Sequence, residues 1–273
     1  MRTQARNAGL LAQSQSATPA FRLHRPTTVA EASDLVAEYP DATIAAGCSD
    51  LVAQIREGAR VERLISLQRV DDLRRIDLDA DGGLTIGSTV THHDGSSNAL
   101  VHKAVPGLAD AWAAIATVRI RYTGTIGGNV MAGRTRYEMP ILLGALDADH
   151  NYDSTGRLLL GVHVDTSNLV AYAYERSMRP TATLAVAVRR DAHGRLALRA
   201  VAGSEYRPCY TLTAQTAATA MGEIEIDDTA EHLARQMPDD CADHTGSAQY
   251  RRHLVRVLMS RTLHRMREKE TES

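Results

Sequence analysis

Two short glycine-bearing turns, Gly47-Cys48-Ser49-Asp50 and Thr123-Gly124-Thr125-Ile126-Gly127-Gly128-Asn129, constrain this 273-residue chain more than any other feature. Each follows an apolar segment and strings together small residues. With little side chain in the way, such a turn can curl into a concave nest of N–H donors that holds a phosphate. Ser49 and Thr125 add hydroxyls, and Asn129 adds a carboxamide. One such turn is ordinary turn chemistry; two, both with polar donors, point to a ligand containing a diphosphate. Neither follows G-x-G-x-x-G or the Walker pattern, which disfavours a doubly wound dinucleotide fold and a P-loop nucleotidase.

The bulk numbers exclude several other classes. A content of 44% hydrophobic and 23% charged residues is that of an ordinary globular protein, with room for one large domain or two modest ones. A net charge of -2 gives no reason to expect a polyanion or a membrane surface as partner. Only 4% of residues are aromatic, too few for a base-stacking nucleic-acid platform. Cys48, Cys209 and Cys241 are far apart, so a zinc or iron–sulfur centre held by this chain alone is not expected. Sparse, unpaired cysteines fit a reducing cytoplasm. No apolar run reaches the roughly 20 residues of a membrane span. Residues 1–20 carry only the short apolar stretch Leu10-Leu11-Ala12 and read as a flexible tail rather than a signal peptide.

Along the chain, Thr28 and Glu31 form a capping box for a helix from Val29 that ends before Pro40. A strand at 42–46 runs into the first glycine turn, a helical segment covers Leu51 to Arg56, and a short strand covers Arg63 to Leu67. Together these make a small α/β unit. Residues 76–78 and 84–88 alternate as a hairpin across Asp81-Gly82-Gly83, and His92-His93 are read as strand residues. Adjacent His92 and His93 in a strand face opposite ways, which argues against a metal site. A helix spans about Pro106 to Ala116, and another starts at Pro140. After Arg179 come a hairpin (183–188 and 196–201), a helix from Thr213 to Met221, and a long helix from Ser247 to Glu268. In that last helix Leu254, Val257, Leu258 and Leu263 form the apolar stripe, with arginines on the other face.

Ala46-Gly47-Cys48-Ser49-Asp50-Leu51 resembles the A-G-G-T-D-L loop of the flavin domains in the molybdenum hydroxylase family, which includes xanthine dehydrogenase and carbon monoxide dehydrogenase. Ile120 to Asn129 resembles that family's more specific I-R-N-x-G-T-I-G-G-N. Phe21 to Pro26, Ile86 to His92, Pro140 to Ala148 and Tyr250 to Leu254 are similar to further family segments in the same order. The likeness covers nearly all of the chain after residue 20.

The resemblance implies an α+β fold: a two-lobed FAD-binding domain at 21–175, with lobes of about 21–72 and 73–175, then a small α+β domain at 176–273 built from an antiparallel sheet and helices. It implies FAD as cofactor, contacted by Ala46, Gly47, Cys48, Ser49, Asp50 and Leu51 from the first loop. The second set is Ala116, Ile120, Gly124, Thr125, Gly128, Asn129 and Glu138, with Glu138 on the adenosine side. It further implies an electron-transfer subunit in the cytoplasm. Iron–sulfur and molybdopterin subunits would be its partners, and a small-molecule acceptor would take the electrons from FAD.

The sequence departs from the family pattern in three places. Cys48 replaces the second glycine of the first loop and reads as a residue chosen for size rather than a redox thiol. Gly133 to Tyr137 replaces a small Ser-Pro stretch with one bearing Arg134 and Arg136. The interval 147–179 lacks the F-F-x-G-Y segment that helps seat the isoalloxazine ring; Tyr152, Tyr172 and Tyr174 are alternative ring partners or simple packing residues. That shortening keeps two other readings open: a free-standing relative turned to another biosynthetic small-molecule reaction, with or without flavin, and a non-catalytic scaffold.

Overall fold

The computed structural model describes residues 20–177 and 181–272. The N-terminal stretch read as a tail lies outside the described residues, except Ala20, and so does Arg179.

The first lobe is a three-stranded parallel sheet. It runs β1 (Arg22–His24), α1 (Val29–Glu38), β2 (Thr43–Ala45), α2 (Ser49–Arg56) and β3 (Arg63–Ser66), with spatial order β1-β3-β2. Parallel neighbours need crossover connections, and α2 provides the one from β2 to β3. Thr28 caps α1 by accepting from the Glu31 amide at 3.1 Å, while the Glu31 carboxylate accepts from Thr27 N at 2.7 Å, one residue upstream of the usual capping-box partner. Ala32 and Val36 of α1 pack on Ile65, and Leu158 reaches in from the second lobe to close this core.

In the second lobe β4 (Ile76–Leu78) and β5 (Leu84–Gly87) pair as the expected hairpin, with Ile76 opposite Ile86. Helices α3 (His92–Ser97), α4 (Ala99–Ala104), α5 (Pro106–Ala114), α6 (Val118–Arg121), α7 (Ile126–Met131) and α8 (Met139–Ala145) follow. The chain then returns through β6 (Asp149–Tyr152) and β7 (Leu159–Val164), giving the order β4-β5-β7-β6. The strand reading of His92 is corrected. Thr91 accepts from Asp94 N at 3.0 Å, and this N-cap spacing starts a helix at His92. Trp112, fully buried, packs in this lobe's core with Ile86, Leu108, Ile115 and Leu142.

The third part is an antiparallel sheet, β8 (Leu169–Arg176), β9 (Thr183–Arg190), β10 (Leu196–Gly203) and β11 (Tyr210–Gln215), in the order β11-β10-β9-β8. Its first strand starts at Leu169, ahead of residue 176, so the sheet draws on the stretch read as flavin domain. Residues 213–215 are strand, not the start of a helix: Leu212 and Ala214 face inward while Thr211 and Thr213 face out, and that two-residue period prevails. Only a single 3-10 turn, Met221–Glu223, lies near the expected helix's end. The sequence reading also missed α9 (Ile226–Arg235), whose Ile226, Ala230, Leu233 and Ala234 are buried at helical spacing. The last helix, α10 (Ala248–Glu272), is rotated from expectation. Val255, Leu258, Met259, Leu263 and Met266 are buried, whereas Leu254 and Val257 are half-buried. Arg251 is not on a solvent face but 2% exposed, paired with Asp243 at 2.5 Å. Leu184, Val186 and Val188 face α9 and α10, while Ala185, Ala187 and Val201 join the core around Trp112.

Candidate functional site

The two glycine turns converge. A Cβ on Gly47 would lie 1.7 Å from the Thr123 carbonyl oxygen, so only glycine lets the turns touch. Between and beside them opens a cleft of about 570 Å³, within the roughly 300–1,000 Å³ common for ligand sites. All thirteen residues named from sequence line it: Ala46, Gly47, Cys48, Ser49, Asp50, Leu51, Ala116, Ile120, Gly124, Thr125, Gly128, Asn129 and Glu138. A second space of about 450 Å³ shares Ile44, Ala46, Gly128 and Met131 with it and runs on toward Arg157 and Leu159.

The two turns offer different chemistry. Cys48 precedes α2 in the left-handed conformation (φ 58°) and makes no side-chain cap bond. The amides of Ser49, Asp50 and Leu51 therefore open the helix without intrahelical acceptors, as first-turn amides must. The second turn corrects an expectation, because most of its amides are engaged inside the protein, Thr125 N being the exception among the described residues. Ile126 N donates to the Val90 carbonyl at 3.0 Å, Gly127 N to the Ser88 carbonyl at 2.9 Å, and Gly128 N to Thr125 Oγ1 at 3.1 Å. The tight approach explains Gly127, where a Cβ would meet the Ser88 carbonyl oxygen at 2.7 Å. What this side can present to a ligand is the Thr125 amide and side-chain chemistry. The Asn129 Oδ1 atom accepts from Met139 N at 3.2 Å, which leaves its NH2 group.

The carboxylates at the rim are held in place. Asp50 accepts from Tyr137 Oη at 2.9 Å and Gln54 Nε2 at 2.5 Å, and Arg134 lies 3.4 Å away. Burial pushes the Asp50 carboxyl up, but those hydrogen bonds and the guanidinium outweigh it and hold it below its ordinary value. Glu138 accepts from the Tyr174 hydroxyl and lies 3.7 Å from Arg176. Burial and the Glu138 charge raise Tyr174, so it stays a neutral donor. Burial also raises the Cys48 thiol, the opposite of what a reactive thiolate needs. Tyr172 is buried and donates to the Leu142 carbonyl, while Tyr152 is exposed on β6 beside His150.

Sequence reasoning missed Gln54, His92, Arg136 and Tyr137, which also line the cleft. From sequence, His92 reads as the end of a family-like segment and is weighed as a metal ligand, and Arg136 reads as an arginine able to meet a phosphate, a partner's acids or solvent, but neither is placed in the cleft. Among the described residues no group of three or more His, Cys, Asp or Glu stands ready for a metal ion, and no helix is long and apolar enough to cross a membrane.

A two-lobed α+β frame with a cleft between the glycine turns, followed by a sheet-and-helix layer, is the fold of the molybdenum-hydroxylase medium subunits. The chain belongs to the family described as FAD binding domain in molybdopterin dehydrogenase, whose pattern matches residues 19–185, and FAD is the cofactor of that family. It is 34% identical over 113 residues to the xanthine dehydrogenase FAD-binding subunit of Escherichia coli O157:H7, a stretch that spans 41% of this chain and only 39% of that protein. It is 26% identical to the carbon monoxide dehydrogenase medium chain of Afipia carboxidovorans, over 90% of this chain and 96% of the relative. The crystal structure of quinoline 2-oxidoreductase from Pseudomonas putida 86 matches with a TM-score of 0.75 at 22% identity, covering 93% of this chain and 99% of its own, which is a likeness of fold. The residues present suit the cofactor: uncapped amides at the start of α2, a glycine that lets the two turns meet beside the cleft, and fixed carboxylates that can accept from ribose hydroxyls.

Proposed function

We propose that this chain is the FAD-carrying electron-transfer subunit of a molybdenum-hydroxylase-type oxidoreductase. FAD supplies the redox chemistry when bound, and the protein's part is placement and electrostatics. The observation that carries the reading is the gathering of all thirteen sequence-named residues around one cleft. In this reading the amides of 49–51 and the Ser49 hydroxyl hold the diphosphate, Asn129 donates from the facing wall, and Glu138 accepts from the adenosine ribose. Partner subunits with iron–sulfur clusters and molybdopterin would deliver the electrons, and a small molecule would take them up. The three scattered cysteines of this chain fit clusters that are held elsewhere.

One observation favours the second reading, a shortened relative put to another use. β7 ends at Val164 and β8 begins at Leu169, joined by a tight turn with Asn168 at φ 59° that carries no aromatic residue. A visible absorption spectrum of the purified chain, with and without added FAD, is the test. A flavin spectrum retained through gel filtration is expected; a colourless protein that takes up no FAD would remove both flavin-based readings. Bleaching of that spectrum by the hydroxylase substrate, only when the partner subunits are present, separates the electron relay from a free-standing use.

A further inference from the structure

His92 lies in the wall of the cleft, 1% exposed, and belongs to none of the thirteen positions that the family pattern supplies. Trp112 Nε1 donates to its Nδ1 at 2.8 Å. An indole N–H can only donate, so Nδ1 carries the lone pair and the ring proton must sit on Nε2. Burial lowers the His92 pKa to about 4, which keeps this neutral tautomer at physiological pH. Nε2 has no hydrogen-bond partner among the described residues, yet it is not among the side-chain atoms sealed from solvent. It therefore presents an N–H at the cleft surface, close to Gly124 and Thr125. The amides of Ile126, Gly127 and Gly128 on the same wall are turned into the protein.

We propose that His92 is a cofactor-positioning residue whose Nε2–H donates to a diphosphate oxygen of the bound dinucleotide, from the side where the amides of Ile126, Gly127 and Gly128 are engaged internally. The proposal rests on the FAD reading above. The Trp112 bond fixes the ring's orientation and tautomer, so the donor is aimed before the ligand arrives and little ordering remains to be done on binding. A neutral donor also leaves the diphosphate's charge to the amides of α2.

Two substitutions in the full chain separate this role from packing. His92→Asn keeps a carbonyl oxygen near Nδ1 as an acceptor for Trp112 but leaves nothing at Nε2. His92→Gln can place an N–H near Nε2 while disturbing the Trp112 contact. The probes are ADP and FAD, titrated by calorimetry, and the emission of Trp112, the sole tryptophan in the sequence, reports its environment. The expected result is that His92→Asn weakens ADP and FAD alike by about ten- to a hundredfold. His92→Gln should stay within about threefold of the parent on the same scale. Parent-like affinity in His92→Asn, or equal losses in both variants, would overturn the proposal, as would a loss confined to FAD, which would put the contact on the flavin half. If the unsubstituted chain binds neither ADP nor FAD, the FAD reading itself falls and takes this one with it.

Discussion

Cys48 sits at φ 58°, where an L side chain costs about 1–2 kcal/mol and glycine nothing. Glycine gives back about 0.5–1 kcal/mol through the freedom of its unfolded chain. Cys48→Gly should therefore raise stability by about 0.5–1 kcal/mol in chemical unfolding while leaving the flavin spectrum unchanged; a clear loss of stability would mean the thiol packs better than its surroundings suggest. Gly47→Ala is the reverse case. Its methyl would collide with the Thr123 backbone, so the turns must part, and FAD affinity should fall by more than about tenfold with a smaller change in melting temperature. His92 also sets a pH dependence. Its folded pKa of about 4 is below the unfolded value of about 6.5, so its contribution is complete above pH ~6.5 and is lost as pH falls toward 4. Over that window the parent should lose on the order of 3 kcal/mol that His92→Asn does not lose, measured as the difference between their urea midpoints across pH.

Helices and strands were legible where the chain's own periodicity was unopposed. The hairpin at 76–87 and the cap of α1 stand close to where alternation and Thr28 put them. The misreadings have local causes. Thr91 caps a helix where adjacent His92 and His93 read as strand, and Thr211-Leu212-Thr213-Ala214 alternates too briefly to outweigh the alanines that follow. In α10 the stripe was misplaced because Arg251 was counted as surface. Arg251 and Asp243 are 2% and 4% exposed, and that pairing comes from a loop folding back, not from helical spacing. Arg251→Leu should cost about 3–5 kcal/mol in thermal or chemical unfolding, because Asp243 stays buried without its counter-charge. Replacing both with apolar residues should recover most of that loss, and a double variant as unstable as the single would show that Arg251 acts by packing alone.

At the scale of the whole molecule, the C-terminal sheet is not an appendage. Its inner face supplies Ala185, Ala187 and Val201 to the core around Trp112, and its outer face carries α9 and α10. Arg199 donates to the Gly144 carbonyl at 2.8 Å and pairs with Asp147, and Arg189 donates to the Leu146 carbonyl at 3.0 Å, so the sheet also grips the end of α8. A chain ending at Arg176 should then lack a cooperative melt, since Tyr172, Leu142 and their neighbours would lose their cover. A sharp near-ultraviolet transition in that fragment would show that the first two lobes stand alone. The full chain should melt with lobe two and the C-terminal layer in one calorimetric transition.

The family, the cofactor and the thirteen cleft positions could be read from the sequence, because glycine turns and their flanking residues act over a few neighbours and leave a local signature. Which amides remain free could not. Gly127 and Gly128 look like donors until Ser88 and Thr125 are seen to take them, and His92 looks like a strand residue beside His93 until Trp112 fixes its proton. These are contacts between distant segments, decided by how the lobes pack, and only the tertiary structure brings those segments together.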